Sequence, residues 1–363
     1  MIKITLPDGF EEKVKPIFET LAEKIWEQIK NSSLSYTKDR TRKKFIKESD
    51  VLEFLMSPDF QKYQFDREHP WYDMIFLSGQ CRLKNIRKYI KISVEITDDE
   101  HKKIENSGIS ENSPLSDFRK TEFFRDKIKS YLFLQSAFDY EKFLSGDDRN
   151  KLMTATNLQV CPYCNMNYIV SYQKDGKMRS TADLDHFYPK SRYPEYALCL
   201  YNMIPACQVC NSRMKGNQEM NRNKNIYPYR EGFSDRASFR FCITREKPVL
   251  KLEPALELEY PAAKEQKDAK FKIENSAKIF GISERYNSDP IHAYAENLAD
   301  KAVTYTDDYL EELKELSPEL KKQLDQIPMK ATIFGCPESE KEIAQHSLGK
   351  LRMDLLKQFR IYK

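Results

Sequence analysis

No run in this sequence approaches the ~20 consecutive apolar residues of a membrane span. The opening, MIKITLPDGFEEK, lacks the apolar stretch of a secretory leader. Internal repeats and low-complexity tracts are missing, and so is a Gly-x-x-x-x-Gly-Lys-Ser/Thr phosphate loop. Strong net charge is missing too: 60 Lys and Arg against 56 Asp and Glu leave +4, so the balance alone does not point to nucleic acid. Eight cysteines in 363 residues are too sparse for a disulfide framework, which predicts a reducing compartment, most simply the cytoplasm, and no membrane partner. What is present is 40% hydrophobic residues, enough for a packed core, in a chain long enough for two or three packed regions. The charge is uneven: bases outnumber acids from Lys174 to Arg230, and 307–340 is acid-rich.

One stretch organises the rest, from Cys161 to Gly216. Two Cys-x-x-C pairs, Cys161/Cys164 and Cys207/Cys210, bracket Asp183-Leu184-Asp185-His186 and Asn202, with Asn211 directly after the last cysteine. Four thiolates at this spacing can hold one tetrahedral Zn²⁺, each pair supplying a knuckle. Asn167 to Tyr172 and Met178 to His186 read as two extended runs, joined by a turn over Lys174-Asp175-Gly176-Lys177. Pro189 stops the second run. Tyr201 to Pro205 is short and apolar, and the residues from Cys207 read as a short helix closing at Gly216. So small a unit has little core, and a zinc ion would take the place of buried apolar area.

The pieces CPYC, DLDHFYPKS, YNMIP and CQVCNSRMKG, in that order, resemble the HNH nucleases, the ββα-metal group. A looser likeness through IYPYREGF and FGISERYN is to HNH proteins of Septu- and retron-type bacterial anti-phage systems. The resemblance implies an α+β fold: a zinc-stabilised ββα-metal core at 151–235, between a helix-rich region at 1–150 and a mixed, then helical region at 236–363. It implies hydrolysis of nucleic-acid phosphodiesters, DNA favoured over RNA, with His186 as general base. Asp185 and Asn211 would hold a catalytic Mg²⁺ or Mn²⁺, hard ions suited to oxygen ligands. Asn202 would brace the His186 loop, and Asp183, two residues before Asp185, is a further ligand or a support for one. Lys190, Arg192, Arg213 and Lys215 flank the site and are candidates for phosphate contacts. A defence role implies an ATPase partner, and ATP control would come from that other subunit.

Two readings compete with this one. A zinc-bearing module could bind nucleic acid or a partner without cutting. Cys-Pro-Tyr-Cys also matches the redox motif of glutaredoxins, which requires a helix starting at the motif inside a βαβ unit.

Outside the central stretch, residues 1–6 read as a strand. A helix follows with Pro16 in its first turn and the stripe Phe18, Leu21, Ala22, Ile25, Trp26 and Ile29. Further helices are predicted over 37–56, 117–143, 273–280 and 294–316, strands over 239–243 and 249–258, and a charged linker over 262–269. Leu348, Leu351, Leu355 and Phe359 give the last helix an apolar stripe that closes the fold.

Overall fold

The computed structural model describes residues 1–31, 48–56, 136–190, 196–216, 218, 220–233, 236–243, 250–257, 263–324, 329–335 and 340–361. The chain is mixed α and β, with three separate two-stranded antiparallel sheets among the helices of the described residues. No helix among the described residues is long and apolar enough to cross a membrane. Predicted elements within 57–135 lie outside the described residues, as does most of the 37–56 helix, of which Glu48–Met56 is described as helix α2.

The predicted first strand is an extended segment without a partner strand. Its backbone bonds go to different loops, Ile2 N–H to the Pro162 carbonyl at 2.9 Å, Ile4 N–H to the Pro228 carbonyl at 2.8 Å, and Phe233 N–H to the Met1 carbonyl at 3.0 Å. It lies so close to Gly232 that a Cβ there would stand 2.6 Å from the Lys3 nitrogen. Helix α1 runs Phe10–Asn31, so Pro16 sits inside it rather than in its first turn. The helix starts early because Glu11 and Glu12 favour its N-terminus, which outweighs the one hydrogen bond Pro16 cannot donate. Phe18, Leu21, Ala22 and Ile25 are buried as the stripe requires.

The predicted helix to Phe143 breaks at Phe138-Asp139. Asp139 accepts a hydrogen bond from Lys142 N–H at 2.9 Å and starts a new short helix, α3, Tyr140–Phe143. Ser145 does the same for α4, Gly146–Ala155.

Strands β1 (Ser171–Lys174) and β2 (Lys177–Ser180) form a hairpin, Tyr172 opposite Arg179 and Lys174 opposite Lys177. Asp175 and Gly176 both take positive φ, 53° and 72°, the left-handed pair that a two-residue turn needs. The second extended run does not continue to His186. It breaks at Thr181-Ala182, and β3 (Asp183–His186) pairs instead with β4 (Met203–Ala206), Asp185 opposite Ile204 and His186 opposite Met203. A seven-residue π-helix, Val209–Lys215, follows β4, and Gly216 N–H closes it on the Asn211 carbonyl at 2.9 Å. In chain order β3, β4 and the π-helix follow one another, one small antiparallel sheet and a helix.

Beyond it, β5 (Ser238–Ile243) and β6 (Leu250–Glu257) pair as predicted. The predicted charged linker is instead the first half of helix α5, Ala263–Ile279, because its Ala, Lys, Glu and Gln residues are strong helix formers. After the short α6 (Ile282–Tyr286), the predicted 294–316 helix is two, α7 (Asp289–Thr304) and α8 (Asp307–Glu315). Thr306 caps α8 by accepting from Tyr309 N–H at 3.2 Å. Short helices Pro318–Leu324, Met329–Phe334 and Glu340–Ile343 lead to the last helix, Gly349–Gln358, which buries Leu351 and Leu355 against β5 and α7. One hydrophobic cluster runs from Met1 and Phe18 through Tyr163 and Phe187 to Leu355, so all three stretches of the chain contribute to the core around the site.

Candidate metal centre and catalytic site

The four cysteines Cys161, Cys164, Cys207 and Cys210 are buried, and their sulfurs all lie within 4.8 Å of one another. Four sulfurs bound at ~2.3 Å to a single tetrahedral ion stand about 3.8 Å apart, so the quartet fits one Zn²⁺. Each pair folds as a knuckle, with Asn165 N–H on the Cys161 carbonyl at 2.8 Å and Asn211 N–H on the Cys207 carbonyl at 3.0 Å. Donors point at the sulfurs: Asn167 Nδ2 at 3.2 Å and Cys210 N–H at 3.5 Å from Cys207, Met166 N–H at 3.4 Å from Cys164, and Arg285 at 3.5 Å from Cys210. Hydrogen bonds between the thiols hold Cys164 well below the usual thiol range and Cys207 at about 6. Such donors suit a site in which four thiolates outweigh a divalent cation. The residues after Cys161 form turns and no helix, which is not the setting of a glutaredoxin motif.

The first knuckle also locks into both ends of the chain. Asn165, buried with φ 51°, donates to the Ile343 and His346 carbonyls and accepts from Lys350 N–H at 2.8 Å. Tyr286 donates to the Cys164 carbonyl at 2.7 Å, and Ile2 holds Pro162.

His186 ends β3 and is 8% exposed. Its Nε2 lies 2.8 Å from the Ala197 carbonyl, which can only accept, so Nε2 carries the proton and Nδ1 keeps its lone pair. Burial first, and then the Lys190 and Lys215 ammonium groups, pull its pKa from 6.5 to about 3, so the ring is neutral at neutral pH. The edge of the Tyr140 ring meets it at 4.7 Å between centroids. Asn202, fully buried, accepts from Tyr188 N–H at 2.7 Å and donates to the Tyr188 and Tyr196 carbonyls. Both ends of the loop between His186 and β4 are thereby tied to one amide.

The two aspartates of β3 meet the π-helix at two rungs. Asp183 Oδ2 accepts from Asn211 Nδ2 at 3.1 Å, and Asp185 Oδ1 accepts from Lys215 Nζ at 2.8 Å. Asp-x-Asp on the strand thus meets Asn-x-x-x-Lys, set about one turn apart on the π-helix, pair by pair. The rungs differ in burial. Asp183 and Asn211 are half-buried, whereas the Asp185 and Lys215 side chains are 3% and 2% exposed. Asp185 also accepts from the Tyr163 hydroxyl at 2.6 Å, and Lys215 donates to the His186 carbonyl at 2.7 Å.

This placement corrects one phosphate-binding expectation: Lys215 is engaged inside the protein, because its ammonium neutralises a buried carboxylate. Arg213 is exposed on the π-helix, and Arg192 lies outside the described residues. Lys190 is half-exposed beside His186, bonded to Glu141 at 2.9 Å and standing over the Tyr140 ring. Arg149 shares both partners, at 2.8 Å from Glu141 and 4.4 Å from the Tyr140 ring centre. These hydrogen bonds outweigh burial and hold the Glu141 carboxyl below its usual value. Tyr140, Glu141 and Arg149 reach the site from some 40 residues upstream, and no local motif marks them. Tyr163, inside the first Cys-x-x-C, was visible only as a spacer.

For a hard divalent ion, the accessible oxygens are those of Asp183 and Asn211. Asp185 fits that role less well, since both its oxygens already accept hydrogen bonds, Oδ1 from Lys215 and Oδ2 from Tyr163.

No protein-family model matches the chain, and no solved structure matches it. A stretch of 64 residues is 31% identical to Protein ea31 of Escherichia phage lambda, covering 18% of this chain and 18% of that protein. The likeness to HNH proteins therefore rests on the motifs and on a buried cysteine quartet compatible with a zinc knuckle of that type.

Proposed function

We propose that this protein is a metal-dependent endonuclease of the HNH type. It hydrolyses nucleic-acid phosphodiesters, DNA in preference to RNA, as the effector of a bacterial anti-phage system with an ATPase partner. The observation that carries the reading is His186, its Nε2 held 2.8 Å from the Ala197 carbonyl, on a ββα unit beside the Asp183–Asn211 pair.

Nδ1 of His186 accepts the proton of the attacking water, and the Asn202 brace keeps the ring aimed. Asp183 and Asn211 would hold the divalent ion, and Asp185 is the carboxylate that fixes Lys215, which in turn donates to the His186 carbonyl. When bound, Mg²⁺ or Mn²⁺ supplies positive charge for the phosphate and the leaving oxygen. Lys190 and Arg149 give the scissile phosphate a choice of partner over Glu141, and Tyr140 covers the imidazole until that phosphate arrives.

The test is plasmid nicking by the zinc-loaded protein with Mg²⁺ or Mn²⁺, with EDTA as control, and with the ATPase subunit added where one is encoded alongside. His186→Ala is expected to lose 10²–10⁴-fold in single-turnover rate while still binding DNA. Equal nicking by the variant would reject the mechanism. Binding without nicking by the wild-type protein would favour the zinc-bearing module that does not cut.

A further inference from the structure

The β1–β2 hairpin carries a feature that hydrolysis at His186 does not use. Tyr168 is 58% exposed, Val170 38% and Tyr172 46%, three of the large apolar side chains left in water. They stand at alternating positions, so in this extended segment they share one face. Pairing continues that face across the hairpin. Val170 exchanges bonds with Thr181, with Val170 N–H on the Thr181 hydroxyl and Thr181 N–H on the Val170 carbonyl, both 2.9 Å. Tyr172 is opposite Arg179, and Lys174 is opposite Lys177. The face therefore reads Tyr168, Val170, Tyr172 and then Arg179, Lys174 and Lys177 towards the turn. On the other face Ser171, Gln173 and Ser180 are small or polar, and Met178, opposite Gln173, is half-buried. Asp147 lies at the basic end, 3.6 Å from Lys177 and 4.0 Å from Arg179, distances at the outer limit of an ion pair.

Spaced aromatic rings beside cations are what a single strand of nucleic acid uses, with bases stacking on the rings and phosphates tracking the cations. A duplex would offer the rings no free base face. The hairpin also leads directly into β3: Ser180 is six residues before His186, within about 20 Å of extended chain. The geometry points to this face as the docking surface for a single-stranded segment of the nucleic acid, next to the bond to be cut. It rests on the nuclease reading for its choice of polymer. Its occupant is single-stranded DNA, held by stacking on Tyr168 and Tyr172 and by charge at Lys174, Lys177 and Arg179.

The experiment is fluorescence anisotropy of the full, zinc-loaded chain in Ca²⁺, which replaces Mg²⁺, with a labelled 20-nucleotide oligo-dT and with a duplex of equal length. Tyr168→Ala/Tyr172→Ala should weaken oligo-dT binding by roughly 5- to 150-fold per ring while changing the duplex little. Tyr168→Phe/Tyr172→Phe keeps both rings and should stay within about twofold of wild type. Lys174→Gln/Lys177→Gln should lower the slope of log affinity against log salt by about 0.7 for each phosphate no longer neutralised. Because both tyrosines are exposed, an unchanged melting temperature shows that the alanine variant is folded. Oligo-dT binding that survives both alanines, equal losses on duplex and single strand, or no binding by wild type would each overturn the proposal. Plasmid nicking separates this from failure of the nuclease reading. Wild-type nicking with oligo-dT affinity indifferent to the tyrosines sinks the hairpin alone, whereas absence of nicking together with tight, tyrosine-dependent binding sinks only the cleavage.

Discussion

Replacing Lys215 by methionine separates a buried brace from a phosphate ligand. The ammonium is 2% exposed, 2.8 Å from Asp185 and 2.7 Å from the His186 carbonyl. Methionine keeps most of the apolar stem and deletes only the charge. Asp185 would then be a buried carboxylate with one hydrogen bond, from Tyr163. Breaking such a pair from one side costs about 3–5 kcal/mol, against a typical total stability of about 5–15 kcal/mol. For a folding unit of about 150–250 residues that is a fall of roughly 6–20 °C in melting temperature, measured with zinc saturating. Asp185→Asn/Lys215→Met removes both charges and should be more stable than the sum of the single effects by about 2 kcal/mol. The slope of DNA affinity against salt should not change for Lys215→Met, whereas removing a cation that neutralises a phosphate would lower it by about 0.9. A melting temperature within about 2 °C of wild type, together with a reduced slope, would refute the buried placement.

Purified protein should hold about one Zn²⁺ per chain, and Cys207→Ser should lose both the metal and cooperative melting, read by elemental analysis and calorimetry. Asp183→Asn should raise the Mn²⁺ concentration needed for half-maximal nicking by tenfold or more; an unchanged requirement would return the ligand role to Asp185. Nicking should show no step between pH 5 and 8 from His186, whose folded pKa is about 3; a step near 6.5 would mean that the ring is solvated. In the same group, the unfolded chain binds a proton below about pH 6.5 that the folded chain refuses until about 3. Its contribution to stability is therefore complete above 6.5 and falls by up to about 1.4 kcal/mol per pH unit below it, measurable by urea titration. Asn165→Ala, which strips three side-chain bonds from a buried site, should cost at least about 2 kcal/mol without touching a cysteine.

What was legible in the sequence was whatever is encoded locally. The Cys-x-x-C pairs, the Asp-Gly turn and the apolar stripe of the last helix each carry their signal within a few residues. The break at Thr181-Ala182 was not legible, because the extended character is the same on both sides and only the pairing partner changes, from β1 to β4. Helix breaks at Asp139 and Thr306 did have a local sign, a capping side chain three residues before the amide it accepts from, masked by the apolar periodicity around it. The linker read at 262–269 shows the opposite error: charge was taken for irregularity where side-chain propensity favoured helix.

The roles of Asp183 and Asp185 needed the fold, and the reason is specific. Residues two apart on a strand share a face, so the sequence places both aspartates towards the same helix. It cannot say which of them the helix covers. That depends on Asn211 and Lys215, 28 and 30 residues away, and the cysteines decide where those two stand. Cys207 and Cys210 fix the start of the π-helix to the cysteine quartet, and β4 enters that quartet directly from its pairing with β3. The four-residue step from Asn211 then carries Lys215 past the accessible end and down to Asp185, where the wall is Tyr163 from the other knuckle. Tyr163 in turn stacks on Phe280 at 4.3 Å between ring centres, so this wall is held by the C-terminal half of the chain. The buried carboxylate, the lysine and the fixed imidazole thus depend on one cysteine quartet and on helices more than a hundred residues beyond Tyr163. A fragment trimmed to 151–235 would keep the four pieces from CPYC to CQVCNSRMKG but be without Phe280, Tyr286 and the Asn165 partners at 343–350. The central stretch carries the residues of the proposed chemistry, but the geometry that makes Asp183 the accessible aspartate belongs to the whole core.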